Sequence, residues 1–171
     1  MIDLLNTDED IRVAQNFTLP ELVKSSTAER LGISNMPDSA QTLVNLVNVA
    51  NHILQPVRDQ FGPIRVNSGY RGLPLNKAVG GSKTSQHCKG EAADFESSRI
   101  GNYKLACWCR DNLEFDQLIL EFYNPDDPAG GWVHVSYNEK GANRKQVLTY
   151  DGKSYENGLP EMEWRDGKVV G

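Results

Sequence analysis

Cysteine and long apolar runs are scarce in this sequence, and each scarcity excludes a class of protein. There are three cysteines in 171 residues, an odd number, so a disulfide framework is not expected. Cys107 and Cys109 are too closely spaced for a CxxC redox or zinc site, and we interpret them, with Cys88, as packing residues. No apolar stretch approaches the ~18 residues of a membrane span, and the acidic N-terminus does not resemble a secretory signal.

Positive charge is also in short supply. The chain has 18 Lys and Arg against 23 Asp and Glu, a net charge of −5, which argues against a broad nucleic-acid-binding surface. Hydrophobic residues make up 39%, enough for a folded core, and the length suits one domain. We expect a monomeric domain over 1–171 with its core at about 17–151. Residues 1–16 are expected to form an arm or edge element, and the polar tail 153–171 is expected to be weakly ordered.

Helical patterns come first along the chain. A proline at a first-turn position predicts a short helix over about 20–26. Apolar residues at helical spacing then predict a long scaffold helix that runs to Val57, which Pro56 should kink or loosen. A further helix is predicted over 103–111. His52 falls off the apolar stripe of the long helix and is predicted to be solvated or capping.

Strand patterns dominate the second half. Short strands are predicted over 64–70, 91–96, 115–122, 132–137 and 146–150. The turn-rich stretch 124–131 would join two of them in a hairpin with a long loop. Because the elements lack strict β-α-β alternation, the sequence predicts an α+β fold with a mostly antiparallel sheet flanked by helices.

Two of the three histidines, His87 and His134, lie in segments that do not look like ordinary core. A buried imidazole needs a partner for each nitrogen, and a zinc ion bound by histidines and a carboxylate would satisfy it. His87 and Asp94 can converge if a tight turn at Gly90 brings the chain back, with His134 supplied by an adjacent strand. A hydrogen-bonded His/Asp network without metal is the alternative.

Hairpin symmetry predicts the general base. If the loop is centred near 127–128, residue i pairs with residue 255 − i, and Glu121 lies opposite His134 on the same face. A carboxylate beside a metal-activated water is a suitable general base. Asp116 is the alternative, whereas Asp126 and Asp127 are expected to be solvated loop carboxylates.

Three motifs occur in a fixed order: SGYR at 68–71, SxHxxGxAxD at 85–94 and WVH at 132–134. Together they resemble the zinc D-Ala-D-Ala carboxypeptidases and L-alanyl-D-glutamate endopeptidases, which are bacterial and bacteriophage peptidases of peptidoglycan. The resemblance runs from about residue 45 to residue 137. It implies the fold that these enzymes share with the Hedgehog signalling domain.

The resemblance also implies a ligand set and a substrate. One zinc ion per chain would be bound by His87, Asp94 and His134, and the substrate would be the peptidoglycan stem peptide. Arg71 would hold that substrate, either by pairing with a carboxylate or by polarising the scissile carbonyl.

Four further residues are candidates for substrate binding. Ser85 and Gln86 would hydrogen-bond the peptide or orient the ligands, with turn capping as the alternative. Tyr70 would line the cleft or pack in the core. Trp132 would form a cleft wall or simply pack.

The sequence departs from the family pattern near the last ligand. Many members carry an acidic residue three positions before that histidine, or a second histidine two positions before it. Gly131 and Trp132 occupy these positions here. The base must therefore come from elsewhere, and Glu121 remains our prediction.

The expected function is zinc-dependent hydrolysis of a peptidoglycan peptide bond, of the D-Ala-D-Ala carboxypeptidase or the L-alanyl-D-glutamate endopeptidase type. Without a signal peptide, the protein is expected to be made in the cytoplasm. It would act on the cell wall after phage lysis or as a virion component, as an endolysin does. The alternative is a catalytically inactive, zinc-stabilised binding or virion structural module of the same fold.

Overall fold

The computed structural model of the protein describes residues 11–127 and 129–161, together with the backbone of 163–165 and 168–170. The α-helices are α1 (Leu19–Val23), α2 (Ser26–Leu31), α3 (Ala40–Val49), α4 (Gln55–Phe61), α5 (Leu73–Ala78) and α6 (Asn102–Asn112). A π-helical segment, Ala50–Leu54, joins α3 to α4, and a 3-10 helix spans Gln86–Lys89. None of the helices in these ranges is long and apolar enough to cross a membrane.

The strands are β1 (Arg12–Ala14), β2 (Phe17–Thr18), β3 (Ile64–Ser68), β4 (Ala92–Ser97), β5 (Gln117–Glu121), β6 (Trp132–Ser136), β7 (Gln146–Tyr150), β8 (Tyr155–Asn157), β9 (Glu163–Arg165) and β10 (Lys168–Val170). Six of them form one sheet in the order β3-β4-β6-β5-β7-β8, while β1–β2 and β9–β10 pair separately. Only the β5–β7 pair of the six-stranded sheet is parallel. The prediction of an α+β fold with a mostly antiparallel sheet is confirmed.

Alternation along the central strands divides the sheet into a core face and a site face. On β5 and β6, Leu118, Leu120, Val133 and Val135 are fully buried in the hydrophobic core. Their neighbours, including His134, project to the opposite face. The core face is covered by the long helix and by α6, whose Leu105, Ala106 and Cys109 are fully buried. The sheet therefore holds the polar residues of its other face on a rigid support.

The long helix has the predicted stripe and the predicted irregularity. Leu46, Ile53, Leu54 and Val57 are fully buried. The π-helical segment ends at Leu54, two residues before Pro56. Proline has no N–H to donate and its ring crowds the carbonyl four residues earlier, so the helix widens at this point. His52 is exposed, as predicted, and stacks on Tyr137 with ring centroids 4.4 Å apart.

Both chain ends are more regular than predicted. In the N-terminal stretch, residues 12–14 form β1, which is an edge element as one alternative held, and residues 1–10 lie outside the described residues. The expectation of weak order from residue 153 is wrong for 155–157, because this segment is β8 and pairs with β7. The short helix expected at 20–26 is α1, and it ends at Val23 before a second short helix, α2.

The predicted hairpin register is wrong by two residues. Glu121 lies opposite Trp132, and His134 lies opposite Ile119. The prediction assumed a symmetric loop centred near 127–128. In the structure the chain turns earlier, because Asn124 and Asp127 form a β-bridge. Because strand side chains alternate with a period of two, a shift of two leaves Glu121 on the same face as His134.

Candidate metal centre and active-site cleft

His87 is placed by a tight local turn. It lies in the 3-10 helix, after which Gly90 adopts φ 71° and leads the chain into β4, where Asp94 is the third residue. Glycine suits this left-handed position, and a Cβ there would also press against the carbonyl oxygen of Thr42 at 2.7 Å. The turn at Gly90 that the sequence predicted is therefore present.

His87, Asp94 and His134 converge. Asp94 on β4 lies directly opposite His134 on β6, so the two side chains share a face. His87 Nε2 lies 3.2 Å from His134 Nδ1 and 3.2 Å from Asp94 Oδ1, and His134 Nδ1 lies 2.9 Å from Asp94 Oδ1. All three residues are buried.

This triangle fits a zinc ion. Ligand bonds of ~2.0–2.1 Å at tetrahedral angles place donor atoms roughly 3.3 Å apart. The three measured separations are close to that value. His87 Nδ1 lies 2.7 Å from the carbonyl oxygen of Gly69, so its N–H donates there and the Nε2 lone pair faces the other two donors. Two histidines and one carboxylate also leave a fourth position open, as catalytic zinc sites do.

Electrostatics favour an ionised carboxylate in this cluster. Burial opposes ionisation of Asp94, but His87 and His134 outweigh it and hold the pKa of Asp94 well below its usual range. Arg71 adds a guanidinium nitrogen 3.9 Å from Asp94 Oδ2. Arg71 Nε is buried and has no hydrogen-bond partner among the described residues. A ligand with an oxygen atom at this position would satisfy that N–H.

The three residues open onto a cleft of about 770 Å³, which Arg71 and Glu121 also line. Glu121 is half-buried at the end of β5. Burial, reinforced by the nearby Asp94, raises the pKa of Glu121, although His134 and Arg71 act in the opposite sense. The carboxylate therefore shares a partly desolvated space with the metal ligands.

The departure from the family pattern has a backbone cause. Gly131, three residues before His134, has φ 70°, and a Cβ at this position would collide with the carbonyl oxygen of Glu121. An acidic side chain does not fit here. Glu121 on β5 lines the cleft on the same sheet face as His134 and is therefore the candidate replacement.

Asp116 lies in the same cleft but is fully engaged. Its two carboxylate oxygens accept from Arg144 Nε at 2.8 Å, from Arg144 Nη2 at 2.7 Å and from the Gln86 side-chain amide at 2.9 Å. Hydrogen bonds from Arg144 and Gln86, opposed by burial, lower the pKa of Asp116. Asp116 thus links the 3-10 helix to the segment before β7. Asp126 and Asp127 are exposed in the hairpin loop, as expected.

The other predicted substrate-binding residues are distributed over two grooves. Ser85, Gln86 and Trp132 line the cleft onto which His87, Asp94 and His134 open. Trp132 also lines a second groove, beside β3, where Tyr70 and Arg71 are found. Tyr70 is only 5% exposed and packs in the hydrophobic core, so it presents little surface to either groove.

Sequence reasoning missed three residues of the site. Gly69, which orients His87 through its carbonyl group, belongs to a recognised motif, but a backbone contact leaves no trace in residue type. Arg144 and Tyr155 line the cleft from segments with no strong pattern. Neither carries a local signal that distinguishes it from an ordinary surface residue.

Two comparisons with known proteins bear on this geometry. A sequence model of the Peptidase M15 family matches residues 15–136. The chain belongs to the Peptidase M15 family. It is also similar to the zinc D-Ala-D-Ala carboxypeptidase of Streptomyces albus G, with 34% identity over 107 residues, which cover 61% of this chain and 40% of that protein. The chain thus aligns with less than half the length of this relative.

Family membership agrees with the donor geometry. The predictions of family and fold are confirmed, and the predicted zinc site agrees with the zinc named for the relative and with three side chains that could hold one metal ion. In the described part of the chain, His87, Asp94 and His134 form a group of side chains that could hold a metal ion.

Proposed function

We propose that this protein hydrolyses a peptide bond in the stem peptide of peptidoglycan, with zinc held by His87, Asp94 and His134. The observation that carries the proposal is the meeting of the three donor atoms and the Glu121 carboxylate in one open cleft. The carboxypeptidase activity named for the Streptomyces albus G relative supports the choice of substrate.

The chain's own residues divide the remaining tasks. When bound, zinc supplies Lewis-acid activation of water and of a carbonyl group. Glu121 takes a proton from the attacking water and returns it to the leaving amine, as a general base and then a general acid. Arg71 binds either the substrate carboxylate or the oxyanion that develops on the scissile carbonyl, using N–H groups that include the unpartnered Nε.

Glu121 suits the base role better than Asp116 does. The Asp116 oxygens are already occupied by Arg144 and Gln86, and their hydrogen bonds stabilise the ionised form. A carboxylate held in this way is a weak proton acceptor. Glu121 is held on β5, on the same sheet face as His134, with its pKa raised by burial.

The assignment of Glu121 predicts a specific loss of activity. Glu121→Gln keeps the size and burial of the side chain but removes the proton acceptor. We expect kcat on a stem-peptide substrate to fall about 10²–10⁴-fold, with zinc content still one per chain. Glu91→Gln is the matched control, because Glu91 lines the same cleft but lies outside the β5–β6 register that places Glu121 on the face of His134. Equal losses in the two variants, or loss of zinc in Glu121→Gln, would contradict the assignment.

Mass spectrometry of a peptidoglycan digest identifies the bond that is cut. A D-Ala-D-Ala carboxypeptidase releases free D-Ala, whereas an L-alanyl-D-glutamate endopeptidase leaves L-Ala on the glycan and releases a stem peptide with a new D-Glu N-terminus. We include an endolysin-like role in the proposal, in which the domain attacks the wall after phage lysis or from a virion. Its test is the turbidity of isolated sacculi, which falls after an endopeptidase cut and persists when only terminal residues are removed.

The alternative, an inactive zinc-stabilised module, is separated by the same digests. It requires that the zinc-loaded protein bind peptidoglycan and release no new amino groups. The half-buried Glu121 and the unpartnered Arg71 Nε favour the enzyme, because a purely structural zinc site needs neither.

A further inference from the structure

Four aromatic rings lie together at one side of the active-site cleft. They belong to Trp132, Phe122, Tyr150 and Tyr155, and we call them the aromatic cluster. Phe122 contacts Trp132 with ring centroids 5.0 Å apart and Tyr150 at 5.1 Å, and Tyr150 stacks on Tyr155 at 4.5 Å. The cluster is therefore continuous from β6 to the edge strand β8.

Strand register places this cluster in line with the proposed base. Glu121 lies opposite Trp132 on one side and beside Tyr150 on the other, and Tyr150 lies opposite Tyr155. These four residues form one row across four strands, and residues in register share a face of the sheet. The row is two residues, or about 7 Å along the strands, from the row that contains His134.

The chain backbone is arranged to add a ring to this row. Phe122 follows Glu121 and would point to the opposite face if β5 continued in extended form. It instead has φ 51°, a left-handed conformation that is unfavourable for a bulky side chain. This conformation brings the ring against Trp132 and Tyr150. A strained residue that presents an apolar ring to solvent indicates a function beyond packing.

The cluster is open to solvent where it meets the cleft. Phe122 is 45% exposed and Tyr155 is 58% exposed, although both are large hydrophobic residues. Tyr155 and Trp132 also line the cleft. One face of the Tyr155 ring is covered by Tyr150. This contact restricts the Tyr155 side chain before any ligand binds, so binding costs little further conformational entropy.

We propose that the aromatic cluster is a binding site for a sugar ring of the glycan strand, next to the cleft in which the stem peptide is cut. This inference rests on the proposed function. A pyranose has a flat face of C–H groups and a rim of hydroxyl groups. The C–H face suits the negative face of an aromatic ring, and the rim finds hydrogen-bonding partners in the tyrosine hydroxyls and the indole N–H.

An open row of rings distinguishes this ligand from an apolar side chain of the peptide. An aliphatic group is best held in an enclosed pocket that removes it from water on all sides. The cluster instead offers exposed faces beside polar groups, which leaves the outer edge of a bound ring in water. Because the row begins at Trp132 in the cleft, one substrate can occupy both sites.

The direct test uses the N-acetylglucosaminyl-N-acetylmuramic acid disaccharide without peptide. Saturation-transfer NMR with the zinc-loaded protein is expected to show contact through the C–H protons of one sugar face, with a Kd in the millimolar range. We expect Tyr155→Ala and Phe122→Ala each to weaken binding about three- to tenfold. Tyr155→Phe keeps the ring and loses only the hydroxyl, so it should weaken binding less than Tyr155→Ala does. Val44→Ala removes an apolar side chain of similar exposure on α3 and is the matched control.

A kinetic arm links the site to catalysis. Two substrates with the same stem peptide, one carrying the disaccharide and one without it, are compared by kcat/KM. The wild type should prefer the glycosylated substrate, and the ratio should fall toward one in Tyr155→Ala and in Phe122→Ala. Equal kcat/KM for the two substrates, or a ratio unchanged in both variants, would overturn the inference.

The two proposals fail in different ways. If the sugar-free peptide is cleaved and the disaccharide shows no saturation transfer, the sugar site is wrong and the peptidase stands. If the disaccharide binds but neither substrate is cleaved, the site stands and the proposed reaction is wrong.

Discussion

A backbone carbonyl group orients His87, one of the three proposed metal ligands. The carbonyl oxygen of Gly69 accepts from His87 Nδ1 at 2.7 Å, which turns Nε2 toward Asp94 and His134. Such indirect contacts commonly change metal affinity 10–100-fold when they are disturbed. Gly69 has no space for a side chain, since a Cβ would overlap the carbonyl oxygen of Leu22.

Gly69→Ala is therefore expected to damage the metal site without touching a ligand. The added methyl group must push the backbone away from Leu22, at a cost of about 1–3 kcal/mol in the free energy of unfolding. We expect zinc affinity, measured by competition with a chelating dye, to fall about 10–100-fold. Gly72→Ala is the control, because a Cβ there meets its nearest atom at an ordinary 3.4 Å. Unchanged affinity in Gly69→Ala would show that this carbonyl group does not orient His87.

Individual residues of the site differ in how far sequence predicts them. His87, Asp94 and the turn at Gly90 lie within eight residues, so their arrangement depends mainly on local chain geometry. His134 becomes predictable because alternation on a strand restricts it to one face. Arg144 and Tyr155 reach the cleft through packing of distant segments, and no local pattern encodes that.

The segment between β6 and β7 is held beside the start of β5 by two ion pairs, Arg144–Asp116 and the more exposed Lys145–Glu114. Asp116, just before β5, is 5% exposed and accepts two hydrogen bonds from the Arg144 side chain, while Arg144 itself is half exposed. Asp116 also accepts a hydrogen bond from the Gln86 side-chain amide, so this cluster connects three parts of the cleft wall. We expect the Arg144–Asp116 pair to contribute more than an exposed surface pair does.

Asp116→Asn should lower the free energy of unfolding by about 1–2 kcal/mol near neutral pH, because the buried amide cannot replace a charged acceptor. The folded-state pKa of Asp116 lies below its unfolded value of ~3.9. The stabilisation is thus fully present above that value and is lost as pH falls through the folded-state pKa. In denaturant titrations, the difference in unfolding free energy between the wild type and Asp116→Asn should therefore shrink as the pH is lowered from 7.

Asp111→Asn provides the control for this prediction. Asp111 makes a similar two-bond contact with Arg110, but on the exposed surface of α6. Solvent screening makes the contribution of such an exposed ion pair to stability small, so we expect little change in the free energy of unfolding at any pH. Equal effects of the two substitutions would contradict the structural role of Asp116.

Elements were predictable where a repeating pattern ran for long enough. The long helix and α6 have stripes that the core confirms, and the central strands alternate between core and site. The loop between β5 and β6 was not predictable from such a pattern. Its early turn and the left-handed conformation of Phe122 depend on local contacts that leave no repeating pattern in the sequence. The short strand β8 depends on pairing with β7, so its polar sequence gave no hint of it.

At the level of the whole molecule, the metal centre joins parts of the chain that are far apart in sequence. His87 lies before β4, Asp94 within it, and His134 lies on β6 forty residues further on. A ligand that binds only the folded chain stabilises it by mass action, by ~2.7 kcal/mol at a concentration one hundred times its Kd. For a domain of this size, that amounts to roughly 5–10 °C in Tm.

Zinc removal is therefore expected to lower Tm by about 5–10 °C, in a single transition if residues 1–171 form one monomeric domain. Calorimetry of the chelated and the zinc-reloaded protein measures the shift. His134→Ala should abolish the dependence of Tm on zinc, because two ligands hold the ion weakly. His52→Ala should retain it, since His52 is exposed and is not among the residues that line the cleft. A wild-type Tm that is independent of zinc, or an undiminished shift in His134→Ala, would show that the metal does not link these segments.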